Sequence, residues 1–177
     1  MFASDALASQ VRMLKRGPLV PLGAGVPVAI DRAGLERLVP HRAPMLLVDG
    51  IDAVDRSTAS VSGFRHLGAG DFGFSGHFPA RPIYPGVLTV EAMGQLALTL
   101  LHFVKGGQPT ADDHGRPPAV RAIHIHHASF LAPFHPGDTM TLQARIVDLG
   151  MTMITASQAW KGGVLAAFSV AEMYADE

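Results

Sequence analysis

Cysteine is absent from this chain of 177 residues, which excludes disulfides and a thiolate nucleophile and leaves His, Asp and Glu as the side chains able to ligate a metal. Charge is scarce as well. Asp, Glu, Lys and Arg make up 16% of the residues, against about a quarter in ordinary soluble domains, so part of the surface is expected to be covered by another subunit. The net charge of −1 and the isoelectric point near 6.7 supply no overall pull toward nucleic acid or an anionic membrane. A basic, apolar and small-residue leader is missing from "MFASDALASQVRMLKRGP", so a cytoplasmic location is expected. The sequence also lacks internal repeats and low-complexity tracts.

What is present is enough apolar content, 48% of the residues, to bury one core. Residues 1–28 read as an N-terminal arm and linker, and residues 29–177 as the domain. Within the arm, Ser4 can cap a short helix carrying Leu7, Val11 and Leu14 at helical spacing, ended by Gly17 and Pro18. Asp31 caps a second short helix that Pro40 terminates. Two strand-like runs follow, "MLLVDGIDAVD" and "TASVSGFRHL".

From Pro85 the apolar positions continue for about five helical turns and stop at "KGGQP". The run is as long as a membrane span, but it carries Glu91, Gln95 and His102, and a carboxylate is costly inside a bilayer. A helix apolar nearly all round must then be enclosed by protein. Four more strand-like runs follow between residues 119 and 174. The fold class is therefore α+β, an antiparallel sheet wrapped around one long central helix.

The chemistry concentrates in "FGFSGHFPARPIYPGVLTVEAMGQ", residues 72–95. One turn either way from Glu91 lie Val87, Leu88, Gly94 and Gln95, of which only Gln95 is a polar side chain. Desolvation favours the protonated carboxyl and makes Glu91 a candidate general acid, while the N-terminal helix dipole opposes that shift. His77 can be neutral at the same pH and accept a proton. The backbone N–H of Gly86, at the helix start, can receive a carbonyl oxygen as it gains negative charge. Base, acid and oxyanion donor together suit removal of a proton alpha to a carbonyl with loss of a beta hydroxyl.

Three motifs, "PHRAPMLLVD" (40–49), "GHFPARPIYPGVLTVEAMGQ" (76–95) and "ASFLAPFHPGD" (128–138), closely resemble those of the hot-dog-fold 3-hydroxyacyl-[acyl-carrier-protein] dehydratases of type II fatty acid synthesis. The resemblance implies catalytic residues His77 and Glu91 on different protomers, facing each other across a dimer interface. It also implies a thioester carbonyl held at Gly86, with Val87 and Phe78 beside the substrate and Gln95 supporting the acid. No cofactor or metal is implied. Glu91, where an isomerising relative has Asp, points to dehydration alone. The implied partners are an acyl carrier protein or a CoA thioester and a second copy of the chain, with a trimer of dimers as the larger form, in fatty acid or polyketide-type synthesis.

Arg81, with Lys105, Arg116 and Arg121, could meet an acidic carrier, although a purely solubilising role accounts for these charges equally well. The sequence departs from the family pattern at Ala43 and Met45, where bulky aromatics are usual, and at His124, His126 and His127. Strand alternation puts His124 and His126 on one face and His127 on the other, a weak metal motif better read as polar or interface positions. Two other readings stay open: an acyl thioesterase on the same fold, and a non-catalytic partner subunit.

Overall fold

The computed structural model describes residues 4–21, 24–105 and 119–175. Its helices are α1 (Ser4–Leu14), α2 (Arg32–Leu38) and α3 (Gly86–Lys105), and its strands are β1 (Val26–Ile30), β2 (Gly50–Asp55), β3 (Ser60–His66), β4 (Val120–Phe130), β5 (Thr139–Leu149), β6 (Met153–Lys161) and β7 (Val164–Ala175). These strands form an antiparallel sheet in the order β1-β2-β3-β5-β6-β7-β4. The sheet wraps α3, as the sequence predicts.

One face of the sheet packs on α3. Ala92, Met93, Leu96, Leu100 and Phe103 of the helix lie in one cluster with Leu142, Ala144, Met153 and Met173 of the strands. Over Gly86–Val104 the helix has a mean hydropathy of 1.5, long and apolar enough to cross a membrane, yet most of it is buried in the protein core. Burying side chains of this size is worth roughly 1.5–3 kcal/mol each, so the helix is held by its surroundings and not by its ends.

The opposite face is covered by the N-terminal segment. Leu14, Leu19 and Val20 are buried against Ile154, Ala156, Phe168 and Val170. Two buried amides on that face read the backbone of the segment. Gln158 Nε2 donates to Leu14 O and Gly17 O at 2.7 and 2.8 Å, while its Oε1 accepts from Leu19 N at 2.8 Å. Gln143 donates to Val20 O at 2.7 Å and accepts from Val20 N at 3.2 Å.

The strands differ from expectation in two places. β1 straddles residue 28 and adds a strand to the six expected; Pro27 obscures it, and the sheet tolerates a proline there because β1 is an edge strand. The run "MLLVD" is not part of β2, which starts only at Gly50. Leu46, Leu47 and Val48 are buried as core-filling residues on an irregular segment, so their apolarity reports burial and not a strand. Asp31 caps α2 as expected, its Oδ1 accepting from Gly34 N at 2.9 Å.

Candidate active site

The loop carrying His77 runs from a 3-10 turn at Phe72–Phe74 to the start of α3. Asp71 caps that turn, Oδ1 accepting from Gly73 N at 2.9 Å, and its other oxygen pairs with Arg65. Arg65 is 5% exposed and also reaches Leu46 O at 3.3 Å, so the loop is bolted to the sheet by a buried cation. Gly76, at φ +86°, makes the reversal just before His77 in a conformation that a residue with a Cβ would resist. The chain then closes on itself: Ile83 N donates to His77 O at 2.9 Å, and Tyr84 N to Phe134 O at 2.9 Å.

The His77 ring is oriented by its own loop. Its Nδ1 lies 2.9 Å from Ile83 O. A carbonyl can only accept, so Nδ1 carries the hydrogen and Nε2 keeps a lone pair. The ring stacks on exposed Phe78 at a centroid distance of 4.3 Å. That is the tautomer a proton acceptor requires.

His77 lines a cleft of about 390 Å³ with Gly86, Val87, Phe130, Leu131 and Phe134. Pro85 stands before the first turn of α3, and its carbonyl accepts from Leu88 N and Thr89 N, each at 3.1 Å. The amides of Gly86 and Val87 precede any helical acceptor and are the donors this terminus offers to a ligand. A Cβ on Gly86 would lie 2.7 Å from the Phe130 ring, so any larger residue here would have to displace that ring. The rest of the wall is mostly apolar, with Thr89 and Tyr84 the polar exceptions, and suits an acyl chain better than a charged ligand.

Glu91 is absent from the lining of that cleft. Its side chain is 40% exposed, so it is less buried than its apolar neighbours on the helix suggest. It is also less isolated. Gln95 Nε2 donates to Glu91 Oε1 at 2.8 Å, and His41 Nε2 lies 3.4 Å from the same oxygen. Helical spacing finds Gln95 but cannot find His41, which arrives from the segment after α2; its only sequence signal is its place in "PHRAPMLLVD". The chain thus holds His77 with Gly86 at one place, and Glu91 with Gln95 and His41 at another.

The remaining expected positions scatter. Arg81 is exposed on the His77 loop. Arg121 lies over the Tyr174 ring at 5.6 Å, while Arg116 and the Lys105 side chain fall outside the described residues. Ala43 and Met45 are exposed, and the Met45 carbonyl accepts from Gln95 Nε2 at 2.7 Å. His124 and His126 do share a face, their rings stacked at 4.5 Å, and His126 Nε2 meets Glu172 Oε2 at 3.0 Å. A register shift between Ile125 and His127 breaks strict alternation and lays His127 on Phe168. Thr152 and then His126 hold the Glu172 carboxyl below its usual range by hydrogen bonding. Tyr84 borders the cleft with its hydroxyl buried; burial, reinforced by Asp71 and Asp49 against Arg65, pushes its pKa up to about 12, so it stays neutral.

Comparison with known proteins supplies the relationship. The FabA-like domain family matches residues 39–168. The chain is 38% identical over 119 residues to the 3-hydroxyacyl-[acyl-carrier-protein] dehydratase FabZ of Rickettsia bellii (strain RML369-C), covering 67% of this chain and 77% of that protein. It is 33% identical over 137 residues to the dehydratase of the same name from Sulfurimonas denitrificans, covering 77% and 90%. Among solved structures, the dehydratase heterocomplex ApeI:P from Xenorhabdus doucetiae aligns with a TM-score of 0.63 at 15% identity, over 87% of this chain and 93% of that one, a likeness of fold. The chain belongs to the FabA-like family of hot-dog-fold dehydratases.

Proposed function

We propose that the protein dehydrates (3R)-3-hydroxyacyl thioesters, carried on an acyl carrier protein, to trans-2-enoyl thioesters and water in fatty acid synthesis. In this reading His77 Nε2 removes the alpha proton while the Gly86 amide receives the thioester oxygen. The electron pair left on the alpha carbon forms the double bond as the carbon–oxygen bond to the beta hydroxyl breaks, and Glu91 of a second protomer protonates that oxygen. Phe78 and Val87 flank the acyl chain, and no cofactor takes part. Arg81, exposed on the His77 loop, is the proposed contact for the acidic carrier, in a cytoplasmic setting.

The observation that carries the reading is the division of labour within one protomer: base and oxyanion donor line one cleft, and the acid does not. A second copy joined along β4 would complete the site. β4 ends the sheet order, and Ile123 and Ile125 on it are each 53% exposed, with Phe130 and Leu131 more so. An open apolar edge of this kind is a liability unless another strand covers it. Val87, at 74%, extends the apolar surface beside the cleft.

Turnover of 3-hydroxyacyl thioesters on carrier protein and on CoA tests the proposal. His77→Ala and Glu91→Gln should each leave a folded oligomer with turnover lowered by about a hundredfold or more, the range of a lost acid or base. Near-normal turnover in both variants refutes the assignment, and release of free thiol without enoyl product would identify a thioesterase instead.

A further inference from the structure

The mechanism above leaves one nitrogen beside Glu91 unused. We propose that His41 is a positioning residue for the acid: with Gln95 it forms a two-donor clamp on Glu91 Oε1, leaving Oε2 as the oxygen that carries and delivers the proton. This rests on the dehydratase reading and extends it to a residue outside the His77 and Glu91 pair.

The tautomer of His41 follows from what surrounds it. Its Nδ1 is buried and meets no hydrogen-bond partner among the described residues. A buried N–H with nothing to receive it costs more than a bare lone pair, and orphaned donors are the rarer of the two in folded proteins. The hydrogen therefore belongs on Nε2, the atom 3.4 Å from Glu91 Oε1. His41 is in this way a donor toward the carboxyl and not a second base.

Both arms of the clamp are set by one short segment. Pro40 stiffens the chain ahead of His41, and Arg42 Nη1 ties it down by donating to Val39 O at 3.0 Å and His41 O at 2.8 Å. A few residues on, Met45 O and Leu47 N hold the Gln95 amide, each at 2.7 Å. With its Oε1 occupied by Leu47 N–H, Gln95 can turn only its NH₂ toward Glu91. The chain from Pro40 to Leu47 thus brings two nitrogens to one carboxyl oxygen, the Gln95 amide in a hydrogen bond and the His41 ring at 3.4 Å.

Two donors on Oε1 draw negative charge to that oxygen, so a proton on the carboxyl resides on Oε2. Syn elimination needs the proton on a fixed oxygen beside the departing hydroxyl. A carboxyl free to rotate would present it elsewhere for part of the time, a loss felt in turnover and not in substrate binding.

The test uses the full chain with His41→Leu, His41→Asn and His41→Gln, assayed for dehydration beside Glu91→Gln, with oligomer mass and melting temperature recorded for each. Gln places its amide nitrogen near the position of a histidine Nε2, and Asn near that of Nδ1. The Leu and Asn variants are expected to lose about tenfold in kcat with KM held within about twofold, and the Gln variant to recover most of it. A merely structural role would not rank Gln above Asn. Wild-type kcat in the Leu and Asn variants, a loss confined to KM, or a Gln variant no better than Asn would each overturn the inference. If Glu91→Gln is inactive while His41→Leu is fully active, the clamp alone falls; if Glu91→Gln is fully active, the functional reading falls with it.

Discussion

Gln95 joins the acid-bearing helix to the chain that passes over it: its Nε2 donates to Glu91 Oε1 at 2.8 Å while its Oε1 accepts from Leu47 N at 2.7 Å. The residue is 1% exposed and Leu47 is fully buried, so the Leu47 amide cannot turn to water if Gln95 is removed. Gln95→Leu keeps the volume and leaves the Leu47 N–H unpaired in the interior, a penalty of about 1–3 kcal/mol. Urea unfolding should record a loss in that range, with the slope against denaturant unchanged. Turnover should fall as well, because Glu91 loses its shorter contact.

The central helix was legible because Val87 through Phe103 are apolar nearly all round, a pattern unlike that of a solvated helix. The enclosing sheet followed from it. β1 was hidden because Pro27 and the glycines before it read as a linker, and the proline is tolerated only because of the strand's place at the edge, which is a tertiary fact. The Glu91–Gln95 contact and the place of Gly86 at the helix start were legible since both lie within one stretch of chain, where helical spacing and a helix start are local signals. His41 could not, because its approach to Glu91 depends on how α2 docks, and the register shifts that move His127 onto Phe168 are likewise invisible in strict alternation.

The outer face of the sheet offers a second stability test. Gln158 is fully buried and bonds the carbonyls at the end of α1, so Gln158→Ala should free that end while α3 and its core stay intact. Hydrogen exchange is the direct readout. The amides of residues 14–20 should exchange faster by about tenfold or more, the effect of losing about 1.4 kcal/mol of local protection. Unchanged exchange there would mean that Leu14, Leu19 and Val20 hold the segment without help from the amide.

Asp138 gives a prediction in pH. Burial alone would raise its pKa, but the Lys161 ammonium at 2.6 Å and the His135 amide at 2.7 Å outweigh burial and hold it below the ordinary carboxylate value. A pKa lowered in the folded state stabilises the fold above the unfolded value, and that stability disappears as pH falls through the folded value. Asp138→Asn should therefore be less stable than the parent from neutral pH down to about 4, and the two should converge only below that. Melting curves of both proteins across this range check it; a gap that persists unchanged in acid would assign the difference to packing and not to charge.

The sharpest test of the split site is complementation between two inactive proteins. If His77 of one protomer works with Glu91 of another, a hybrid of a His77→Ala subunit and a Glu91→Gln subunit carries both substitutions in one site and neither in the other. Random re-pairing of equal amounts makes half of the dimers hybrids, each with one intact site of two, so the mixture should regain about a quarter of parental turnover. If the site lay within one protomer, each subunit would stay inactive in any pairing and mixing would restore nothing. The regain should also depend on the β4 edge: with Ile123→Asp and Ile125→Asp in both proteins, two like charges per subunit face the seam, and turnover after mixing should stay at background while the mass measured in solution falls to that of one chain. Recovery by mixing and its loss at the edge together would tie the chemistry of His77 and Glu91 to the pairing of two sheets.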